Sequence, residues 1–424
     1  MSRKMKDSGI EWIGDIPDNW NIGYIGQIYT ERKQKVSDRD FEPLSVTMNG
    51  IVPQLSTAAK TDAHDDRKLV KKGDFAINSR SDRRGSCGIA PMDGSISLIN
   101  TVLKPKDKMN PDYYNWLFHT SMFSDEFYKW GHGIVNDLWT TNWTDMKTIA
   151  IPIPLINEQV AIADYLNVKC SYIDNIITKT QASIEEYKKL KQSIITQAVT
   201  QGVRGDREMK ESGVEWIGQI PKNWDVTKIS RIGITYSGAT PLRSKESDYF
   251  EDATIRWVRT LDLNDWLVND SSEKITDKAL DNSSCTVMPV NTVCVAMYGG
   301  AGTIGKSGLL TKECATNQAI CSIVCDSTRI LPMYLLFYMI AIRKYWMIYA
   351  VGTRKDPNIS QDIVNKMNVI VPPIKEQERI VVYLQSKCQI FDDIIQKKNK
   401  FVEEMEKYKQ SVIYEYVTGK KEVS

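Results

Sequence analysis

Residues 5–20 read MKDSGIEWIGDIPDNW, and residues 209–224 read MKESGVEWIGQIPKNW. Twelve of these 16 positions are identical, at an offset of 204. A second match lies downstream of each: IPIPLINEQVAIADYL (Ile151 to Leu166) aligns with VIVPPIKEQERIVVYL (Val369 to Leu384) at an offset of 218. The second offset exceeds the first (218 − 204 = 14), so the second copy is longer in its middle by that difference. The chain is therefore a tandem repeat whose copies share their ends and diverge between them, and a repeat of this kind governs the fold assignment.

Working outward, each middle segment reads as a small mixed domain. Short β-rich runs such as Phe75–Asn78 and Thr292–Met297 are bounded by Gly, Asp and Asn. Aromatic-rich helical patterns follow, one beginning at Pro111 and one with Pro332 near its start, both suited to a first helical turn. The end of each copy reads as one long helix. From Glu158 to about Thr200 there is neither Pro nor Gly. Leu166, Ile173, Ile177, Thr180, Ile184, Tyr187, Leu190, Ile194 and Ala198 recur at steps of mostly 3 and 4. The equivalent positions of the second copy are Leu384, Phe391, Ile395, Lys398, Val402, Met405, Tyr408, Val412 and Tyr416, all apolar or aromatic except Lys398. A helix of about 44 residues extends roughly 65 Å and cannot bury such a stripe alone. Its expected partner is its own copy. Gly202 and Gly419 stand where glycine ends a helix.

The chain has 424 residues, with 55 Lys plus Arg against 53 Asp plus Glu, a net charge of +2. A uniformly basic nucleic-acid coat is excluded, so any nucleic-acid site must be a local patch. The eight cysteines show no CxxC and no regular spacing, which argues against a disulfide framework or a cysteine zinc site and for a reducing cytosol. No secretory signal is visible at the N-terminus. The most apolar stretch runs only from Leu331 to Ile342, too short for a bilayer, so it reads as a buried helix. We expect a cytoplasmic protein with no membrane contact. Three histidines, His64, His119 and His132, leave little for a metal site or a histidine-based triad.

One string imitates chemistry. Gly300-Ala301-Gly302-Thr303-Ile304-Gly305-Lys306-Ser307 fits the phosphate-binding pattern G-x-x-x-x-G-K-[ST]. That loop must open a helix aimed at the phosphates, yet SGLLTKECATNQAICSIVC follows, with a β-like pattern. The expectation is a glycine-rich loop between strands, with Lys306 as a basic contact, rather than an NTPase. No N/D-P-P-Y/F tetrapeptide, Gly-x-Ser-x-Gly or HExxH occurs. Asp262 and Asp265 read as solvated or capping carboxylates. We expect no catalytic, cofactor-binding or metal-binding residue. The candidates are DNA contacts. Between Lys60 and Arg84 eight Lys/Arg oppose five Asp. Within that run Asn78, Arg80, Arg83 and Arg84 close a predicted strand and its Ser/Gly-rich loop, and arginine suits guanine edges or phosphate. In the second copy the candidates are Arg243 and Lys245, then Tyr298, Thr303 and Lys306 in the glycine loop, then Arg354 and Lys355.

The paired ends GIEWIGDIPDNW and GVEWIGQIPKNW, the twice-used Pro-x-x-x-Glu-Gln entry to a long helix and the loop YGGAGTIGKSG resemble the specificity subunit of type I restriction–modification systems, over essentially the whole chain. The resemblance implies an α+β chain. Two globular mixed α/β target-recognition domains would be joined by two long antiparallel coiled-coil helices in a pseudo-two-fold tandem repeat. The bounds are 1–155 and 204–372 for the domains and 156–203 and 373–424 for the spacer helices. It implies a non-catalytic subunit that reads a bipartite double-stranded DNA target. Such a subunit would direct two modification (methyltransferase) subunits, which methylate adenine N6 from S-adenosylmethionine, and two restriction subunits using ATP and Mg. The first copy departs from the glycine-loop pattern: the stretch there is SRSDRRGSCGIA. The alternative is a stand-alone DNA-binding coiled-coil scaffold without enzyme partners.

Overall fold

The structure is a computed structural model. It describes residues 3–55, 64–133, 139–205, 207–299, 302–352 and 357–423. The chain divides into two units, residues 1–181 with 399–424 and residues 182–398.

The first unit opens with the repeated segment, a hairpin of Met5–Asp7 with Asp15–Pro17. Its four-stranded antiparallel sheet runs in the order Cys87–Ile89, Phe75–Asn78, Asn100–Pro105, Tyr29–Glu31. A three-stranded sheet of Gly94–Ser97, Arg67–Val70 and Lys35–Val36 and a hairpin of Leu44–Thr47 with Gly50–Pro53 complete the β structure. The helical pattern starts at Pro111 as expected but divides into two helices, Pro111–Phe118 and Ser121–Lys129; Asn110 and Thr120 cap them by accepting from Tyr113 N and Phe123 N. Their aromatic faces meet the sheet, with Phe75 and Phe118 ring centroids 5.1 Å apart and Phe118 and Phe123 4.4 Å apart.

In the second unit a five-stranded sheet runs Gly233–Ser237, Ile320–Cys325, Val293–Ala296, Ser307–Leu310, Trp266–Val268, the last pair parallel. A four-stranded sheet of Glu273–Ile275, Ile255–Val258, Cys314–Thr316 and Val287–Met288 lies in the same unit. The apolar stretch after Leu331 is the helix Pro332–Ile342, with every residue from Tyr334 to Ile342 buried. Apolar on all sides, it is a core helix.

Each copy is closed by the same device. Strand Asn21–Tyr24 pairs with Ala150–Ile153, and Asp225–Lys228 pairs with Asn368–Val371. The first strands of the two ribbons align at the first offset of the repeat and the second strands at the second, so the extra length of the second copy falls inside its domain. A long helix follows each ribbon, Ile156–Gln201 and Ile374–Val417. In both copies the Glu-Gln pair at the helix start ties it down. Gln159 accepts from Asn110 N (2.8 Å) and donates to Pro154 O (2.9 Å). Gln377 accepts from Leu331 N (2.8 Å) and donates to Arg329 O (2.9 Å) and Pro372 O (2.8 Å). Glu158 pairs with Arg3 and accepts from the Trp20 indole (3.0 Å); Glu376 pairs with Arg207 at 3.1 Å. The Arg3 and Arg207 guanidiniums also lie over the rings of Trp20 and Trp224.

The helices pair antiparallel within each unit. In the first, Tyr165 lies against Tyr416 (4.4 Å between centroids) and Asp174 pairs with Lys409 at 2.7 Å. In the second, Tyr187 lies under Lys398 at 5.6 Å and Lys191 pairs with Asp392 at 2.6 Å. Two members of the expected stripe, Leu190 and Tyr408, are instead exposed, at 48% and 46%. Ile195 and Val199 are buried in their place against Trp224 and the domain core, as Ile413 and Val417 are in the first unit. A stripe tied to period 3.5 drifts around a helix of period 3.6. Each helix end also packs into a globular core, in company with the start of the other helix.

Candidate nucleic-acid interface

In the first domain the candidate residues sit where strand Phe75–Asn78 runs into a short 3₁₀ turn, Ser81–Arg83. Asn78 is buried and shapes this turn: its Oδ1 accepts from Arg80 N (3.0 Å), and its carbonyl accepts from the Tyr128 hydroxyl (3.0 Å). Burial raises the Tyr128 pKa, so the phenol stays protonated and donates. Arg80 bridges to Thr140 through its backbone. Arg83 and Arg84 are exposed. Arg84 reaches Asp125 (3.0 Å) and lies over the Tyr128 ring at 5.2 Å, whereas among the described residues the Arg83 side chain has only a loose 3.7 Å approach to its neighbour Asp82. A cleft of about 750 Å³ opens here, lined by Ser81, Arg84, Tyr128, Lys129 and Trp139 among others.

The basic run read from Lys60 to Arg84 does not form one patch. Arg67 is buried, donating to Ser95 Oγ (2.8 Å) and Ser95 O (2.9 Å), and burial lowers its pKa. Lys68 donates to Asn100 O at 2.7 Å. Lys71 and Lys72 are exposed in the turn before strand Phe75–Asn78, and Arg83 and Arg84 are exposed in the loop after it. Lys60 lies outside the described residues.

In the second domain the glycine loop connects two strands, Val293–Ala296 and Ser307–Leu310. No helix follows it, so it lacks the helix N-terminus that a phosphate-binding loop needs. Gly305 (φ +74°) packs so tightly on Trp346 that a Cβ would stand 2.2 Å from the indole Cδ1. Lys306 N closes a turn onto Thr303 O (2.9 Å). Asp265 accepts from Ser307 N (2.9 Å) and from Arg343 (2.7 Å), and Arg343 also donates to Gly302 O. The carboxylate read as solvated or capping thus braces the loop from outside it, and Asp262 caps a turn by accepting from Arg259 N (2.7 Å). Sequence reading missed Arg343, which follows the buried helix and is 41 residues from Gly302. Tyr298 is 39% exposed. Among the described residues the Lys306 ammonium has no ion-pair or hydrogen-bond partner, so its charge is free to meet a ligand.

Arg243 and Lys245 are engaged within their own domain. Arg243 pairs with Glu273 and lies over Phe250 (4.3 Å) and Trp257 (5.4 Å), and Lys245 lies over Tyr249 at 5.4 Å. Arg354 and Lys355 lie outside the described residues. Among the described residues no group of three or more His, Cys, Asp or Glu is placed to hold a metal ion. No helix among them is long and apolar enough to cross a membrane.

Known proteins resemble this chain in sequence and in fold. The chain is 24% identical over 432 residues to the type I restriction enzyme MjaVIII specificity subunit of Methanocaldococcus jannaschii, covering 96% of this chain and 93% of that one. It is 27% identical over 180 residues, 41% of each chain, to the EcoR124I/EcoR124II specificity subunit of Escherichia coli. Its fold is similar to a chain of a type I restriction–modification system solved to explain complex assembly and conformational transition: TM-score 0.74, 14% identity, 95% of this chain and 98% of that one. The crystal structure of the HsdS subunit from Thermoanaerobacter tengcongensis matches with a TM-score of 0.51 at 15% identity, over 95% of this chain and 98% of that one. The family profile described as the type I restriction modification DNA specificity domain matches residues 17–186 and again 221–404, most of the chain, and the chain belongs to that family.

Proposed function

We propose that this chain reads a bipartite DNA target, one half-site per globular domain, and delivers it to adenine-N6 methyltransferase subunits. The observation that carries this reading is the duplication itself. The two copies keep the same closing ribbon, helix anchor and Arg–Glu pair, yet their middles differ in length and in sheet topology. Identical frames suit two identical partners, and dissimilar middles suit two different half-sites. In this reading Arg83 and Arg84 in the first domain and Tyr298, Thr303 and Lys306 in the second lie at the DNA. Arg354 and Lys355 belong to the same proposed set. Asn78 and Arg80 hold the first loop in shape, and Arg243 and Lys245 contribute through the surface they brace.

Two modification subunits and two restriction subunits complete the proposed assembly, with S-adenosylmethionine on the former and ATP and Mg on the latter. Each long helix offers exposed apolar positions for such partners. Ile156, Val160, Val168 and Tyr172 are exposed at multiples of four positions in the first copy, and Val382 and Ile390 in the second. Tyr172 and Ile390 occupy equivalent repeat positions. Exposed apolar stripes of this kind mark protein contacts.

The test exchanges residues 21–150 for the corresponding segment of a related chain and maps methylated adenines genome-wide. One half of the target should change and the other half remain. Loss of both halves in an assembled, folded complex refutes the assignment of one half-site to each domain.

A further inference from the structure

Beside each candidate DNA loop stands one large apolar side chain held out into solvent. In the first domain it is Met48, 69% exposed at the tip of the hairpin Leu44–Thr47/Gly50–Pro53. The tip is held: Thr47 Oγ1 donates to Gly50 O (2.8 Å) and accepts from Asn49 N (3.1 Å). It also lies against the arginine loop. Met48 Cε is 4.0 Å from where a Cβ on Gly85 would stand, next to Arg84. In the second domain it is Leu261, 78% exposed in the turn from Arg259 to Asp262. Asp262 N donates to Arg259 O (2.9 Å), and the Asp262 carboxylate accepts from Arg259 N (2.7 Å) and Ser272 N (3.0 Å). Two positions on, Leu263 is fully buried, and Asp265 bonds Ser307 in both directions (2.8 and 2.9 Å), directly beside Lys306. The turn is thus fixed to the glycine loop with its leucine pointing away from the core.

Single exposed apolar residues are common on protein surfaces. These two differ in being held on braced turns, each next to a loop that carries cations read as DNA contacts, Arg83 and Arg84 in the first domain and the half-buried Lys306 in the second. The folds of the two tips are unrelated, a hairpin in one domain and a turn between strands in the other, yet the pairing of apolar tip with cationic loop recurs.

We infer that Met48 and Leu261 are base-reading contacts, each meeting the 5-methyl group of a thymine in its own half-site. An apolar side chain carried into the major groove between phosphate-binding cations contacts that methyl and no other base edge so favourably. The inference rests on the DNA-contact reading of the arginine and glycine loops, and the experiment separates the two.

The full chain, assembled with its methyltransferase subunits, is titrated by fluorescence anisotropy against a duplex carrying the target found by methylation mapping, and against a random duplex of equal length. Met48→Ser and Leu261→Ser should each weaken target binding about tenfold. Both should leave random-duplex affinity within about twofold and the salt slope unchanged, since no cation is removed. Replacing thymines by uracil one at a time should reveal one thymine per half-site whose methyl matters to the parent chain and not to the matching variant. Target loss without that thymine coupling, or equal loss on the random duplex, overturns the inference. Unchanged target affinity in both variants, with Lys306→Ala and Arg83→Ala weakening it, overturns the inference and leaves the DNA face standing. If those cation variants are also silent, the DNA-contact reading falls and the inference falls with it.

Discussion

Removing the glutamine that starts each long helix should destabilise the two units unequally. Gln377 is fully buried and makes three hydrogen bonds to backbone groups, the Leu331 N–H and the Arg329 and Pro372 carbonyls. Gln159 is 2% exposed and makes two, to the Asn110 N–H and the Pro154 carbonyl. At about 1 kcal/mol per bond, Gln377→Ala should cost the second unit about 3 kcal/mol. Gln159→Ala should cost the first about 2 kcal/mol on the same basis. The assay is native-state hydrogen exchange read on one buried strand per unit, Ile320–Cys325 and Asn100–Pro105, which report opening free energies separately. Gln377→Glu distinguishes bonding from packing. It keeps the shape but sets an oxygen in place of the amide nitrogen against two carbonyls, so at neutral pH it should be worse than Ala. Costs below about 1 kcal/mol at both sites, or a change confined to the unit that lacks the substitution, would refute the claim that these glutamines anchor the helices.

Glycine at the two helix ends should also respond unequally. Gly419 has φ +71° and a Cβ there would stand 2.6 Å from two atoms of the Pro17 ring, whereas at Gly202 (φ +82°) the nearest atom, at 2.9 Å, is the flexible Arg207 guanidinium end. Thermal unfolding should therefore show Gly419→Ala costing about 2 kcal/mol or more and Gly202→Ala about 1, the ordinary cost of a left-handed non-glycine residue. Acidification should loosen the first unit through His119. Burial, with a smaller contribution from Lys409, lowers its pKa; its ring donates to Asn115 O (2.7 Å) and faces the buried Cys87 thiol. A folded-state pKa below the ordinary value means that the stabilisation is complete above about pH 6.5 and is lost as pH falls towards the folded value. Urea titrations between pH 7.5 and 5 should show that slope, and His119→Gln should flatten it.

How much of this was legible in the sequence differs from element to element. The duplication, the long helices and the buried helix after Leu331 follow from local pattern, because identity at a fixed offset and periodicity along a helix are properties of a one-dimensional string. The rejection of a phosphate-binding loop at Gly300–Ser307 followed too, since the residues after Ser307 already had the pattern of a strand. Local signals could not show which groups meet across long separations. Arg67, read as one cation in a basic run, is buried on Ser95, 28 residues away. Arg343 and Asp265 brace a loop from 41 and 42 residues' distance. Leu190 and Tyr408 fit the helical stripe but are exposed, because burial along a helix depends on what each turn faces and not on the stripe alone. The sequence by itself determined two copies of one frame with unlike contents, because that frame is written in identical residues. Tertiary structure alone decided which cations remain unpaired and which apolar tips stand beside them, because ion pairing and exposure are set by neighbours that the chain brings together only when folded.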